Sequence, residues 1–388
     1  MSVGTAQAPV FPTLLVIPTG IGCCIGGYAG DGLPTARLLA AASGCVITHP
    51  NVINAALLTW SDRRIHYVEG WSLDRFAAGD LALAPVASRQ VGLLLDAGLE
   101  ADLRLRQLQA ADACRASLGL SIGPVVTSDE PLGVRLRLGA SGTSWGHLER
   151  PAALLRAADQ LVAAGATAIA AVARFPDEIN SEALEAYRSG AGVDRLAGAE
   201  AVISHLLSRH LGIPCAHAPA LAALPPDPRL DPRAAAEELG HTFLPCVLAG
   251  LSRAPDLIPL SPGADHGDPR LLPADLLHAA RLGAVVAPAG ALGGEAVLAC
   301  AERGVPVIAV ESNESLLQVD GEALGISVLP AASPAEAAGL VLALREGIAP
   351  ESLRRPIDSI HERLFRTTAL THPAPSNKSQ SGPSPQRS

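Results

Sequence analysis

Three side chains in this sequence have the chemistry needed to move protons or attack a substrate: His49, Asp177 and Cys23. His49 and Asp177 each come shortly after an apolar run that predicts a β-strand, Cys45–Thr48 and Ala168–Ala173. Ligands of open α/β sheets bind beyond the carboxyl ends of the strands, so we expect these two as general acid and base. Cys23 lies in a glycine loop whose amides could stabilise a thiolate nucleophile; the alternative is a small apolar filler.

Other polar residues near strand ends could hold the substrate. Asn51 and Asn54 follow His49 in the sequence and are expected to orient the substrate. Thr19 follows the first predicted strand and is a further candidate ligand residue. Arg174 or Arg253 could clamp an anion through two hydrogen bonds. The alternative is that these are ordinary polar loop residues.

The segment from Gly142 to Gly146 matches the G-x-S-x-G pattern of a nucleophile elbow. An elbow needs its serine at the tip of a strand with a helix starting at once, whereas the next helix is predicted near Pro151. We therefore expect this loop to contribute Thr143 or Trp145 to a pocket rather than Ser144 to catalysis.

The first glycine loop follows a predicted strand and could place its amides around an anion; its glycines are Gly20, Gly22, Gly26 and Gly27. Its glycine spacing differs by one residue from the G-x-G-x-x-G pattern of dinucleotide-binding proteins. The next predicted strand also lacks the Asp or Glu at its end that would bind a ribose hydroxyl. A purely structural tight turn is the alternative.

A second glycine loop lies between a predicted strand and a helix and contains Gly290, Gly293 and Gly294, with Glu311 ending the following strand. Its spacing is closer to that of a nucleotide or phosphate site. Pro288 replaces the first glycine of the fingerprint, so an ordinary strand-to-helix turn remains the alternative.

Composition excludes several classes of function. The only lysine is Lys378, so pyridoxal phosphate and other lysine-dependent chemistry is not expected, and the cofactor is left open with a nucleotide as one option. A net charge of −9 without basic runs argues against nucleic acid. Nor is there an apolar stretch of the roughly 18 residues that a membrane span needs. No histidine or cysteine spacing predicts a metal site.

The pattern of apolar runs and Ala-rich amphipathic segments predicts an α/β protein with a mainly parallel, doubly wound (Rossmann-like) sheet, in one lobe or two. The expected organisation is a flexible N-terminus (1–10), an α/β lobe (11–218), a Pro-rich wrapping connection with an embedded strand at Phe243–Ala249 (219–273), a βαβ segment (274–367) and a disordered tail (368–388). Ser88–Ala97 is predicted helical, and Val134–Leu138 is predicted to be an edge strand or hairpin.

Five segments resemble an uncharacterised, largely cyanobacterial protein family known only as a domain of unknown function. They read IPTGIG, THPNVINA, SGTSWG, ARFPD and TFLPCVL, at Ile17–Gly22, Thr48–Ala55, Ser141–Gly146, Ala173–Asp177 and Thr242–Leu248. The resemblance covers nearly the whole chain and implies a bacterial cytoplasmic protein, but it carries no assigned activity or catalytic residues.

The sequence therefore predicts a cytoplasmic metabolic enzyme that acts on a small anionic substrate: a carboxylate, a phosphorylated metabolite or a nucleotide-linked compound. Seven cysteines, an odd number, agree with the reduced thiols of a cytoplasmic protein. The alternative is a non-catalytic ligand sensor or assembly subunit that uses the same crevice. Neither nucleic acid nor membrane is expected as a partner, and an exposed edge strand would suit a homodimer.

Overall fold

The computed structural model describes residues 10–177, 181–260, 273, 275–357 and 359. The described residues up to Pro350 form one compact unit, which contains every strand and helix named here, and those after it belong to a second unit. Most of the predicted N-terminal segment and the whole predicted tail lie outside the described residues.

The strands in chain order are β1 Thr13–Leu15, β2 Val46–Thr48, β3 Ile65–Tyr67, β4 Leu81–Ala84, β5 Val91–Leu95, β6 Ile122–Thr127, β7 Val134–Leu138, β8 Ser144–Leu148, β9 Ala168–Arg174, β10 Cys215–Ala220, β11 Asp256–Pro259, β12 Ala284–Pro288, β13 Val307–Val310 and β14 Leu329–Ala331.

The helices are α1 Leu33–Ser43, α2 Pro50–Ile53, α3 Gly70–Ala78, α4 Ala101–Leu118, α5 Pro151–Ala163, α6 Glu182–Arg188, α7 Ala197–Leu211, α8 Pro232–Gly240, α9 Leu244–Leu251, α10 Glu295–Glu302, α11 Gly321–Leu324 and α12 Pro334–Arg345.

The protein is an α/β protein built on two parallel sheets, as the sequence predicts. The larger sheet has the order β14-β13-β12-β1-β2-β3, and the smaller has the order β10-β9-β5-β6. The larger sheet combines strands from both ends of the chain: β1 lies between β12 and β2. Two antiparallel pairs, β4 with β11 and β7 with β8, complete the strand pairing among the described residues.

Each parallel sheet is covered by helices on both faces, which explains its nearly continuous apolar strands. In the larger sheet, Leu14 and Val285 pack toward α3 and α10, whereas their neighbours Leu15 and Val286 pack toward α1 and α12. The smaller sheet alternates in the same way, with α4 and α9 on one face and α5 and α7 on the other. The doubly wound arrangement is thus present twice.

The predicted helix at Ser88–Ala97 is wrong. Residues Val91–Leu95 form the central strand β5, in which every residue is buried. A short apolar run covered on both faces lacks the alternation that marks a strand, and for that reason it reads equally well as a buried helix.

The predicted strand at Phe243–Ala249 is also wrong. Helix α9 begins at Leu244 with Pro245 in its first turn, where the missing amide proton is tolerated. Leu244, Val247, Leu248 and Leu251 are buried at helical spacing against the smaller sheet. The strand within this part of the chain is β11 instead.

The predicted edge strand at Val134–Leu138 is confirmed as β7, which forms a hairpin with β8. Ser144 is the first residue of β8 rather than the tip of a strand-to-helix turn. Its hydroxyl donates to the Arg195 carbonyl at 2.8 Å and accepts from the Gly198 amide at 3.1 Å, so it has a structural role.

None of the helices among the described residues combines the length and the apolar character that crossing a bilayer requires.

Candidate functional site

A cavity of about 140 Å³ lies where strand ends of the two sheets meet. The ends of β9 and β10 and the helix after β2 form its walls, and α6 and α8 also contribute to its lining. Its polar side chains include Asn51, Asn54, Asp177, Asp194, Glu200, His217 and Glu237.

Two asparagines come from the short helix α2, which Pro50 begins directly after β2. The Nδ2 atom of Asn54 donates to the hydroxyl of Tyr67 at 3.0 Å, which fixes this side chain. The Nδ2 atom of Asn51 is fully buried and has no hydrogen-bond partner among the described residues. Because this Nδ2 atom is closed to solvent, other atoms of Asn51 line the cavity.

Three carboxyl groups give the cavity its electrostatic character. Burial, with the charge of Glu200 as a further cause, raises the pKa of Asp194 to about 7. Burial also raises the pKa of Glu237 well above its usual value, and the charge of Asp194 adds to this effect. Burial therefore favours the protonated form of Glu237, and Asp194 is near its midpoint at neutral pH.

Glu237 is held in place by two donors on one oxygen. Its Oε1 atom accepts from the Ala29 amide at 2.6 Å and from the Tyr187 hydroxyl at 2.8 Å. Because Oε1 accepts both bonds, Oε2 is the oxygen that carries the proton in the protonated form of Glu237. Burial raises the pKa of Tyr187 well above its usual value, so its hydroxyl stays protonated and continues to donate.

A histidine faces the third carboxyl group. The Nε2 atom of His217 lies 3.5 Å from Oε2 of Glu200, and its Nδ1 atom lies 3.0 Å from the hydroxyl of Ser204. Glu200 is 6% exposed although it belongs to the first turn of α7. Its carboxylate therefore has His217 as a counter-charge when that ring is protonated.

Comparison with known proteins places the chain in a family. Residues 12–354 match the family described as "Protein of unknown function (DUF3326)". The chain belongs to this family. It is also 51% identical over 341 residues to an uncharacterised lipoprotein of Synechococcus sp., and the match covers 88% of this chain and 92% of the relative. The predicted resemblance to an uncharacterised cyanobacterial family is thus confirmed, and no solved structure matches.

In this DUF3326 protein, two of the three residues expected to be catalytic are unsuited to that role. His49 is buried, its Nε2 accepts from the Ile17 amide at 3.2 Å, and burial lowers its pKa to about 4. Cys23 is 2% exposed, and burial raises its pKa to about 12, so it is a thiol rather than a thiolate nucleophile. Neither residue lines the cavity.

Asp177 does line the cavity, but it is bound to Arg174. Their shortest separation is 2.6 Å, and Asp177 also accepts from the Ala222 amide at 2.9 Å. The hydrogen bond from Arg174 lowers the pKa of Asp177, which leaves it a weak base. Arg174 also binds Glu100 at 2.8 Å, so its guanidinium is occupied by protein carboxylates rather than directed at a substrate.

The first glycine loop of the DUF3326 chain uses several amides internally. The Gly26 amide donates to Asp31 at 2.5 Å, and the Ile25 amide donates to Asn313 at 2.8 Å. A side chain at Gly27 would lie 2.1 Å from the Cys23 carbonyl oxygen, and Gly20 and Gly22 have φ of +69° and +67°. These contacts favour the structural alternative over anion binding.

The second glycine loop is likewise filled by protein groups. A side chain at Gly290 would lie 2.6 Å from the Leu317 carbonyl oxygen, and one at Gly293 would lie 3.1 Å from Val319. Gly294 caps α10, but Asp74 accepts from the Ala296 amide in the first turn at 3.1 Å. A carboxylate of the chain thus occupies an amide that a phosphate would use.

The remaining predicted ligand residues lie away from the lining of the cavity. Thr143 bonds to the Ser141 hydroxyl at 3.0 Å in the β7–β8 turn, and exposed Arg253 donates to Ser61 at 2.5 Å. Glu311 is exposed after β13, and Thr19 is half-buried after β1. Of the predicted set, the structure brings only Asn51, Asn54 and Asp177 together.

Sequence reasoning missed the residues that dominate the cavity: Asp194, Glu200, Glu237 and Tyr187. They lie on α6, α7, α8 and the connection between α6 and α7, so a search of strand ends does not reach them. The available signal is that Glu200 stands amid the apolar residues of α7. No group of three or more metal-ligating side chains was found among the described residues.

Proposed function

We propose that this protein is an enzyme that binds a small molecule in the cavity and moves protons with the acidic groups around it. The supporting observation is that Asp194 and Glu237, both with raised pKa, line one cavity together with Glu200. General acid–base catalysis is most efficient when the pKa of the group lies near the working pH. Burial and like charge achieve this for carboxyl groups.

The groups divide into two roles. Glu237 serves as the acid, because burial favours its protonated form while Tyr187 and Ala29 donate to Oε1, which leaves Oε2 for the proton. Asp194, with a pKa of about 7, serves as the base in its ionised form. Asn51, which lines the same cavity, orients the substrate. The pair of carboxyl groups in different protonation states replaces the predicted pair of His49 and Asp177.

A non-catalytic sensor is the second candidate. It is favoured by the scattered positions of His49, Cys23 and Asp177, because a sensor needs affinity without catalytic groups brought together. The sensor and the enzyme would use the same cavity, so binding alone does not distinguish them. Conversion of the bound compound to a product would identify an enzyme.

The test incubates the purified protein with a mixture of small metabolites and follows depletion and product formation by mass spectrometry. We expect a compound that wild type consumes, with at least about a hundredfold loss of rate in Glu237→Gln, the lower range for one general acid. Exposed Glu182→Gln on α6 is the matched control and should keep wild-type rates. A ligand that binds but is never consumed would establish the sensor.

Blocking the cavity tests the place of binding. Ala223 is exposed and contributes to the lining, so Ala223→Trp obstructs the cavity with little disturbance of the core. Ala163→Trp, at an exposed position on α5 outside the lining, is its control. Turnover that survives in Ala223→Trp would place the reaction elsewhere.

We further propose a cytoplasmic location, on the reduced thiols predicted from the odd number of cysteines. The Synechococcus relative is named a lipoprotein, which makes the location a matter for experiment. Cell fractionation should recover the protein with soluble cytoplasmic markers, and recovery with the membrane fraction would contradict the proposal.

A further inference from the structure

Two segments that extend beyond strands of the smaller sheet form one wall of the cavity. Residues 181–193 come after β9 and contain α6, and residues 221–241 follow β10 and contain α8. Leu184 of the first segment and Leu224 of the second line the cavity. We refer to the two segments together as the cap. A ligand that enters the cavity from this side must pass the cap.

The two segments of the cap are bound to each other. Arg188 on α6 forms an ion pair with Glu238 on α8 at 2.8 Å, and its carbonyl accepts from the Asp231 amide at 2.8 Å. The hydroxyl of Tyr187 donates to Glu237, which joins the same two helices. These contacts couple α6 to α8, so the cap moves as one unit.

The cap buries few apolar side chains. Every residue of α6 is half-buried or exposed, because its inner face lines the cavity instead of packing against the core. Eight of the nine residues of α8 are also half-buried or exposed. By contrast, α7 buries Ile203 and Leu207 completely. Segments that bury little apolar surface open locally at a lower free energy than the whole fold, so the cap should open before α7 does.

Polar contacts hold the cap against the first glycine loop and the residues that follow it. Arg233 of α8 forms an ion pair with Asp31 at 2.8 Å and donates to the Cys23 carbonyl at 3.1 Å. Its guanidinium lies 4.0 Å from the ring centre of Tyr28, and this ring stacks on Tyr187 of α6. Residues 23–31, which we call the anchor segment, therefore contact both helices of the cap.

The anchor segment is itself fixed to the larger sheet. Asn313, which lies shortly after β13, accepts from the Ile25 amide at 2.8 Å and donates to the Ile25 carbonyl at 2.9 Å. Within the segment, Asp31 accepts from the Gly26 amide at 2.5 Å. The ion pair between Arg233 and Asp31 thus joins a weakly packed cap to a firmly held loop.

We propose that the cap opens to admit the ligand and that the ion pair of Arg233 with Asp31 is the latch that keeps it closed. The inference rests on the proposed function, since the cap covers the proposed site, and it gives the first glycine loop a mechanical role in place of anion binding. Gly190 and Gly192, with φ of +84° and +89°, connect α6 to α7. Glycine adopts many backbone angles without strain, so this connection can serve as a hinge.

Hydrogen exchange of the ligand-free protein, followed by mass spectrometry, tests the latch. Arg233→Met keeps the length and helix propensity of the side chain but removes its charge. Amide exchange should rise about tenfold in both α6 and α8, because a charge-assisted hydrogen bond is lost from the closed state alone. Helices α5 and α7 should exchange as in wild type. Unchanged exchange in α6, or a rise confined to α8, would overturn the inference.

Two further variants sharpen this test. Asp31→Asn should produce the same rise, and the double variant should exchange no faster than either single variant, because one ion pair is broken in all three. Additive rises would show that the two residues do not form the latch. Arg156→Met is the matched control: it removes an ion pair with Asp129 at 2.7 Å on α5 and should leave exchange of the cap as in wild type.

A cysteine in the cavity tests whether opening admits a small molecule. Val247 is 1% exposed and lines the cavity, whereas its neighbour Cys246 is buried outside the lining. In a Cys24→Ser background, Val247→Cys should react with iodoacetamide faster than Cys246, and Arg233→Met should raise its rate about tenfold without changing that of Cys246. An unchanged rate at Val247→Cys would show that the cap is not the entrance.

The two proposals fail separately. Neither experiment uses a substrate, so a negative result in both would leave the acid–base site standing with a different entrance. A latch that behaves as expected, in a protein that consumes no metabolite, would contradict the proposed enzyme and leave the cap in place.

Discussion

The hydroxyl of Tyr187 donates a hydrogen bond to the Oε1 atom of Glu237 over 2.8 Å. This bond joins α6 to α8 beside the cavity, and the Ala29 amide donates to the same oxygen. One carboxyl group therefore connects both helices to the segment that follows the first glycine loop. Because burial raises the pKa of Glu237, its protonated form, which places no charge in the interior, is favoured.

A double-mutant cycle should detect this bond. We expect Tyr187→Phe and Glu237→Ala to be coupled by about 1 kcal/mol in the free energy of unfolding, the value of a typical buried hydrogen bond. Urea denaturation of the four proteins measures it. Tyr67→Phe is the matched control: its hydroxyl accepts from Asn54, so its effect should add to that of Glu237→Ala. Additive effects of Tyr187→Phe and Glu237→Ala would contradict the prediction.

The seven cysteines should differ sharply in reactivity. Cys24 is exposed and the other six are buried, so a maleimide should label one thiol of the native protein quickly and all seven after unfolding. Burial raises the pKa of Cys23 to about 12, which suppresses its thiolate. Mass spectrometry should show the fast label lost in Cys24→Ser and kept in Cys23→Ser. A fast label on Cys23 would restore it as a candidate nucleophile.

The parts of the fold that could be predicted are those with a clear local pattern. Strands β1, β9 and β12 are apolar runs bounded by turn residues, and Pro151 marks the start of α5. Strand β5 was mistaken for a helix because its identity depends on the helices that cover it on both sides. The order of strands in a sheet is a long-range property, and a local pattern does not carry it.

The same distinction applies to the site. Asn51, Asn54 and Asp177 were found because they follow strands, and the rule for parallel sheets directs attention there. Asp194 and Glu237 come from a connection and a covering helix, and their raised pKa arises from burial that only the folded chain creates. His49 also follows a strand, but its imidazole is used by the Ile17 amide.

Burial of His49 should make the protein less stable in mild acid. Its pKa is lowered to about 4, against about 6.5 when unfolded, so the unfolded chain binds the proton first as pH falls. The shift corresponds to about 3 kcal/mol lost between pH 6.5 and pH 4, at about 1.4 kcal/mol per pH unit. Burial likewise lowers the pKa of His66 to about 4, which adds to the loss.

Urea denaturation across this pH range measures the effect. As pH falls, the free energy of unfolding should decrease less steeply in His49→Gln than in wild type. His66→Gln should also make this decrease less steep, because it removes the second buried histidine. Equal slopes for His49→Gln and wild type would mean that His49 titrates normally in the folded protein.

The pair of His205 and Glu69 should act in the opposite direction. The Nε2 atom of His205, on α7, lies 3.0 Å from Oε1 of buried Glu69, which caps α3. Burial lowers the pKa of His205, but the hydrogen bond and the charge of Glu69 outweigh it, so the net shift is upward. A raised pKa stabilises the fold below the unfolded value of about 6.5, and this contribution is lost as pH rises through the folded pKa.

The measurement compares His205→Gln with wild type at pH 6 and pH 9. We expect the variant to be less stable at pH 6 by up to about 1 kcal/mol, because 44% of the His205 side chain is exposed and solvent screens the pair. The difference should shrink toward pH 9 as wild-type His205 loses its proton. In a Glu69→Gln background this pH dependence should weaken or reverse, because burial then opposes only the charge of Asp74. A difference that grows with pH, or a pH dependence that persists undiminished in that background, would show that another group controls His205.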